Sequence, residues 1–206
     1  MMEEYNINQT TLKILSLYRS NYRKSLHLRQ IARETKIDVK AIQLQLKRLE
    51  GMNTLSSVLK GRNKEYTVNL ENPITRYFLI LAETFTSVNC LTRNFLVKKI
   101  VSEIDDRVEG TIVLFGSFAT GEETKRSDID LFVMNDEKLG APSRNVLREI
   151  GDIVGREISV KLSDRRRFLE GLQEGDPLFR EVVSNHIILR GVDDFCSLMW
   201  RYYARQ

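Results

Sequence analysis

The chain has 206 residues, 42% hydrophobic and 29% charged, with three prolines and a net charge of +4. That balance excludes a disordered chain, and no apolar run approaches the roughly 20 residues of a membrane span. Cys90 and Cys196 form no cluster with His27 or His186, which excludes zinc and disulfide frameworks; a metal would need carboxylates, and those favour magnesium or manganese.

The two cysteines read as buried thiols, and the acidic Met-Met-Glu-Glu start is unlike a signal peptide, so a cytoplasmic location is expected. Residues 1–72 carry 13 Lys and Arg against 7 Asp and Glu, whereas the remainder carries 19 against 21. A basic first third ahead of a slightly acidic remainder fits a nucleic-acid-binding module joined to something else.

Leu12, Ile14, Leu15, Leu17 and Tyr18 predict a first helix over 8–21, with caps at Thr10 and Thr11. A second is expected over 26–35 with Leu28, Ile31 and Ala32 inward. The third is capped by Asp38 and carries Ile42, Leu46 and Leu49 at i, i+4, i+7 until Gly51. Its opposite face bears Lys40, Gln43 and Lys47, with Gln45 and Arg48 flanking, groups that read bases and phosphates. Two strands follow, about 55–59 and 65–70, joined by a basic loop with Lys60, Arg62 and Lys64.

Residues 8–71 thus resemble the winged helix-turn-helix family in the order and spacing of their elements. The resemblance implies double-stranded DNA as a partner, contacted by Lys40, Gln43, Lys47, Lys60, Arg62 and Lys64. A merely solvated face, or a winged helix used for protein contacts or dimerisation, fits the same residues.

Pro73 ends the second strand and suits a first helical turn. Tyr77, Leu81 and Phe85 are expected to face inward, with Phe78, Ile80 and Ala82 widening that face, a break near Ser87-Val88-Asn89 and a second helix over 92–104.

Thr111–Phe115 is a continuous apolar strand pattern ending at Gly116-Ser117; ten residues later Asp128-Ile129-Asp130 opens a second strand. Alternation along that strand turns both aspartates to one face and Ile129 and Leu131 to the other. Two like charges so close are costly alone, and a divalent cation bridging a triphosphate would stabilise them. Gly116 allows close approach to a phosphate, Ser117 offers a hydroxyl and a backbone N–H, and Ser127 stands at the same strand start.

Through Gly116-Ser117 and Asp128-Ile129-Asp130 the sequence resembles the DNA polymerase beta superfamily, closest to its minimal nucleotidyltransferases, over about residues 92–192. The resemblance implies an α/β (α+β) domain with a mixed sheet flanked by helices, and transfer of a nucleoside monophosphate from a nucleoside triphosphate, ATP foremost, to an acceptor hydroxyl. Magnesium or manganese would be held by Asp128 and Asp130, with Gly116, Ser117 and Ser127 on the nucleotide. The family's third carboxylate belongs on the strand expected over 156–162, where Ser159 stands instead; Glu157, two residues earlier, is the substitute candidate. Thr120 stands where many relatives have arginine.

Beyond that strand, Arg165-Arg166-Arg167 reads as a solvated helix start, with contact to phosphate or nucleic acid as the alternative, and the segment 192–204 as an amphipathic helix. The organisation expected is therefore a winged helix-turn-helix over 1–72, a linker helix over 73–91, and a nucleotidyltransferase domain over 92–206, in a two-fold dimer. A protein acceptor such as a toxin is implied by the antitoxins among the minimal nucleotidyltransferases. The other reading is a nucleotide-sensing transcriptional regulator, weak or inactive as an enzyme, or an antitoxin-like protein.

Overall fold

The computed structural model describes residues 7–104, 107–136 and 141–205, which fall into two compact units. One comprises the described residues up to Phe85 together with those from Met199 on; the other is Thr86–Leu198. Among the described residues no helix is long and apolar enough to cross a membrane.

The first unit opens with α1 (Gln9–Ser16), capped by the Asn8 side chain on the Thr11 N–H. It is shorter than the 8–21 expected, because Leu17 and Tyr18 bond three residues back instead of four and tighten the chain. Tyr18 is nonetheless fully buried, and its hydroxyl donates to the Tyr66 carbonyl at 3.0 Å.

Leu26, expected in the second helix, instead forms β1 (Leu26–His27), and α2 (Leu28–Thr35) is capped by the His27 ring nitrogen on the Gln30 N–H. α3 (Val39–Gly51) starts at Asp38, whose carboxylate accepts from Lys40 and Ala41, and buries Ile42, Leu46 and Leu49. Gln45 is buried too, accepting from the Thr11 hydroxyl at 3.2 Å, so it does not belong to the polar face.

β2 (Leu55–Lys60) and β3 (Asn63–Val68) form an antiparallel hairpin, and β1 joins β3 on its other side. The pairing of Lys60 with Asn63 shortens the expected loop to a two-residue turn, Gly61-Arg62, with Gly61 at φ 60°.

α4 (Pro73–Arg93) runs through Ser87 without the expected break. The buried Ser87 hydroxyl donates to the Ile188 carbonyl at 2.7 Å, so it does not compete with its own helix. The helix stops at Asn94, whose side chain caps α5 (Phe95–Ile104) at the Val97 N–H. The inward face of α4 is in part the expected one, since Phe78 and Ala82 are buried, but Leu79 joins them while Tyr77 and Leu81 are exposed. Buried Glu83, ion-paired with Arg19, sets that orientation, because a charge taken from water must keep its partner.

The second unit is built on a mixed sheet in the order β6-β5-β4-β7. β4 (Thr111–Phe115) is antiparallel to β5 (Ile129–Met134) and to β7 (Ile187–Arg190); β5 is parallel to β6 (Ile158–Ser163). One face, with Ile112, Leu114, Ile129, Leu131 and Val133, packs on α5 and on α7 (Ala141–Val154). On the other, Phe132 meets Phe168 of α8 (Arg165–Glu174) and Phe179 of α9 (Pro177–Ser184), with ring centroids 5.3 and 5.9 Å away. Phe195 of α10 (Val192–Ala204) extends this cluster. Cys196 is buried, but Cys90 is only half-buried, its thiol pushed up by burial and then by Glu123.

Candidate functional site

The site forms where β4 ends and β5 begins. Phe115 pairs with Asp130 across the ladder, so the turn that follows β4 lies beside the Asp130 carboxylate. Gly116 turns there with φ 66° and ψ −153°, backbone angles essentially confined to glycine. A Cβ at Gly116 would stand 2.6 Å from Asp130 Oδ2, so the bare backbone is what lets turn and carboxylate close on one another. Ser117 then begins the short α6 (Ser117–Thr120), and among the described residues its hydroxyl has no partner.

Ile129 and Leu131 are fully buried in the core, which anchors β5 and turns the half-buried Asp130 to the opposite face. Asp128, one turn of the pleat earlier, is exposed. The Asp130 carboxyl is held above the usual aspartate value, first by burial. The Ser159 hydroxyl donating to it pulls down, the Asp128 charge pushes up again, and Lys161 pulls down.

The parallel register sets Ser159 beside Asp130, in the place where the sequence comparison expected a carboxylate. Glu157 comes one pleat earlier; its carbonyl accepts from the Ile129 N–H at 2.9 Å. Among the described residues no three of His, Cys, Asp and Glu are gathered as a group that could hold a metal. The Ser127 hydroxyl is engaged in its own turn, accepting from the Thr124 N–H at 2.9 Å. Lys161 was missed as a site residue, although the same alternation that placed Ser159 would have found it two residues on.

In the first unit, Lys40, Gln43 and Lys47 of α3 and Lys64 of β3 line one groove of about 850 Å³, with Leu44 and Tyr66. Lys60 and Arg62 lie outside it. Lys64 ion-pairs with Glu50 at 2.7 Å, which raises its ammonium pKa, and sits 5.4 Å from the Tyr66 ring centroid. Lys60 pairs with Glu65 at 2.8 Å, and Arg62 makes no ion pair among the described residues. Of the arginine run, Arg165 is held by Asp136 and Asp194, and Arg166 faces Glu170, as a solvated helix start requires.

Residues 97–191 match the family model described as "Polymerase beta, Nucleotidyltransferase", and they form such a domain. No curated protein matches the chain. A solved structure described as "Crystal structure of the toxin-antitoxin with AMP-PNP" is 21% identical over 53% of this chain and 86% of that one, with a TM-score of 0.38.

Proposed function

We propose that the polymerase beta nucleotidyltransferase domain at residues 97–191 moves a nucleoside monophosphate from a nucleoside triphosphate, ATP foremost, to an acceptor hydroxyl. The observation that carries this reading is the closure of Gly116 on Asp130 beside Asp128. A triphosphate lying there meets bare backbone and the Ser117 hydroxyl on one side and two carboxylates on the other. The donor set is all oxygen and the pair's negative charge is only partly offset, which fits a hard divalent cation. Asp128 and Asp130 would hold magnesium or manganese, whose charge offsets that of the triphosphate and the leaving pyrophosphate. Ser159 orients Asp130 by donating to it, and Lys161 adds a positive charge on the same face.

The test is the thermal midpoint with magnesium and each nucleoside triphosphate, for the natural chain and for Asp128→Asn/Asp130→Asn. A ligand at 100 times its Kd adds about 2.7 kcal/mol, or roughly 5–10 °C for a chain of this size. A magnesium-dependent rise lost in the double variant is expected; no rise with any nucleotide would sink the proposal.

A second reading is favoured by Ser159, which cannot take the acceptor's proton as a carboxylate does. In it the nucleotide is bound and sensed, not transferred. Label from an α-phosphate-labelled triphosphate separates the two: transfer to an acceptor in a cognate lysate, abolished by Glu157→Gln with nucleotide binding intact, supports the enzyme, and no labelled acceptor supports the sensor.

We further propose that residues 1–72 are a winged helix-turn-helix bound to double-stranded DNA. Lys40, Gln43, Lys47 and Lys64 would read one groove while Arg62 at the hairpin tip reaches a phosphate; the shared groove on α3 supports this. Gel shifts on genomic fragments test it: affinity indifferent to salt and to Lys40→Ala/Lys47→Ala/Arg62→Ala would overturn it.

A further inference from the structure

One edge of the mixed sheet is open. β6 is paired only with β5 among the described residues. At its two ends the Ile129 N–H donates to the Glu157 carbonyl and the Asn135 N–H to the Ser163 carbonyl. Both acceptors are odd-numbered, so by the alternation of a parallel ladder Ser159 and Lys161 also turn their peptide groups to β5. Ile158, Val160 and Leu162 turn theirs outward, where no backbone partner meets them among the described residues.

A groove of about 1240 Å³ follows this edge, walled by Leu147 of α7 on one side and by Arg167 of α8 and Leu178 of α9 on the other. Neither Asp128 nor Asp130 lines it, although Glu157 and Lys161 do, so it adjoins the nucleotide site without containing the aspartate pair. Its cations are Arg148, Arg156, Lys161 and Arg167, set against Asp152 and Glu157. The Arg156 guanidinium is already bonded to the Lys125 carbonyl, but the other three cations make no ion pair among the described residues.

We propose that this edge receives an extended, acidic segment of a partner polypeptide as an additional strand of the sheet. Outward peptide groups spaced every second residue are satisfied in register only by another backbone. Leu147 and Leu178 offer apolar contact on the two walls and Arg148, Lys161 and Arg167 offer charge, and a strand alternating apolar with acidic side chains presents both kinds to them. The positive rim selects the sign of the partner. It also opposes a second copy of this chain, which would set one net-positive rim against another. A nucleic acid would meet Asp152 and Glu157 and leave the outward N–H and C=O groups without a ladder.

The test uses the full chain and a fluorescein-labelled eight-residue peptide alternating valine and glutamate. Fluorescence anisotropy is expected to show saturable binding, weakened by about tenfold or more when alternate peptide nitrogens are methylated and when glutamates become lysines. Amide exchange followed by NMR is expected to slow at Ile158, Val160 and Leu162 and to stay unchanged at Ser159 and Lys161. The Asp128→Asn/Asp130→Asn variant is expected to bind at least as well, since it leaves the edge intact and frees Lys161 from Asp130, which separates this result from the fate of the nucleotide site. Absence of binding overturns the proposal. So does binding indifferent to methylation, edge amides already slowed by self-association of the chain, or displacement of the peptide by oligothymidylate without slowed edge amides.

Discussion

In the first unit the hairpin lysines lie against carboxylates, Lys64 on Glu50 and Lys60 on Glu65. In the second, Asp128 and Asp130 press like charges together, and Asp130 is half-buried with only a hydroxyl and Lys161 to offset them. The pKa directions follow: the Glu65 carboxyl is held below its ordinary value, first by the Lys60 hydrogen bond, while that of Asp130 is pushed above its own. Compensated charge at a surface stabilises the free chain modestly. Charge left uncompensated beside a core destabilises the free chain and is relieved by a ligand of opposite sign, so the second unit is where stability and function should trade against one another.

The largest effect is expected from Gly116→Ala. Its backbone angles cost a side chain about 1–3 kcal/mol, and the new methyl group would displace the Asp130 carboxylate it touches. The thermal midpoint should fall by several degrees, and the increment from magnesium and nucleotide should vanish. An unchanged increment would mean that the closure of Gly116 on Asp130 does not shape the site. Next comes Ser159→Asp, which sets a third carboxylate beside Asp130. Added ligand charge should tighten magnesium binding on the order of tenfold while destabilising the metal-free chain. Calorimetric titration with magnesium reads the first change and a melt in chelator the second; equal affinity in both chains would show that Ser159 does not occupy a ligand position. Asp130→Asn is the milder counterpart. In chelator at neutral pH it should raise the melting temperature by about 2 °C, since it removes a half-buried charge that Asp128 repels.

The same contrast shows what could be read from the chain alone. β4, β5 and the aspartate pair were legible because apolar continuity and strand alternation are local signals, and Ser159 followed from the same alternation on β6. β1 was not, since its two residues are a strand only by pairing with Tyr66 and Glu65 nearly 40 positions away. The buried face of α4 was legible at Phe78 and Ala82 but misjudged at Tyr77 and Leu81, because its residues are apolar nearly all round; the deciding residue was the acidic Glu83, whose partner Arg19 no periodicity reveals. Glu157 was chosen as the substitute carboxylate by residue type and by its place on the same face, and the register sets Ser159, not Glu157, directly beside Asp130. The open edge of β6 was invisible because an unpaired strand and a paired one share the same pattern.

The smallest effect should come from the compensated side of the comparison. Glu65 accepts from Lys60 and, at 2.6 Å, from the Ser25 hydroxyl, and its carboxyl lies below the ordinary 4.5. A lowered folded-state value means that Glu65 adds stability above the ordinary value and that this contribution is lost as pH falls through the lowered one. Glu65→Gln should therefore lower the melting temperature at neutral pH by under about 2 °C, and the difference from the natural chain should close in acid. The same change releases Lys60. If the hairpin lies along a DNA backbone, one more free cation should tighten binding and steepen the dependence of log affinity on log salt by about 0.9. Weaker binding, or an unaltered slope, would place the Lys60 end of the hairpin away from the duplex and leave α3 and Arg62 as the contact.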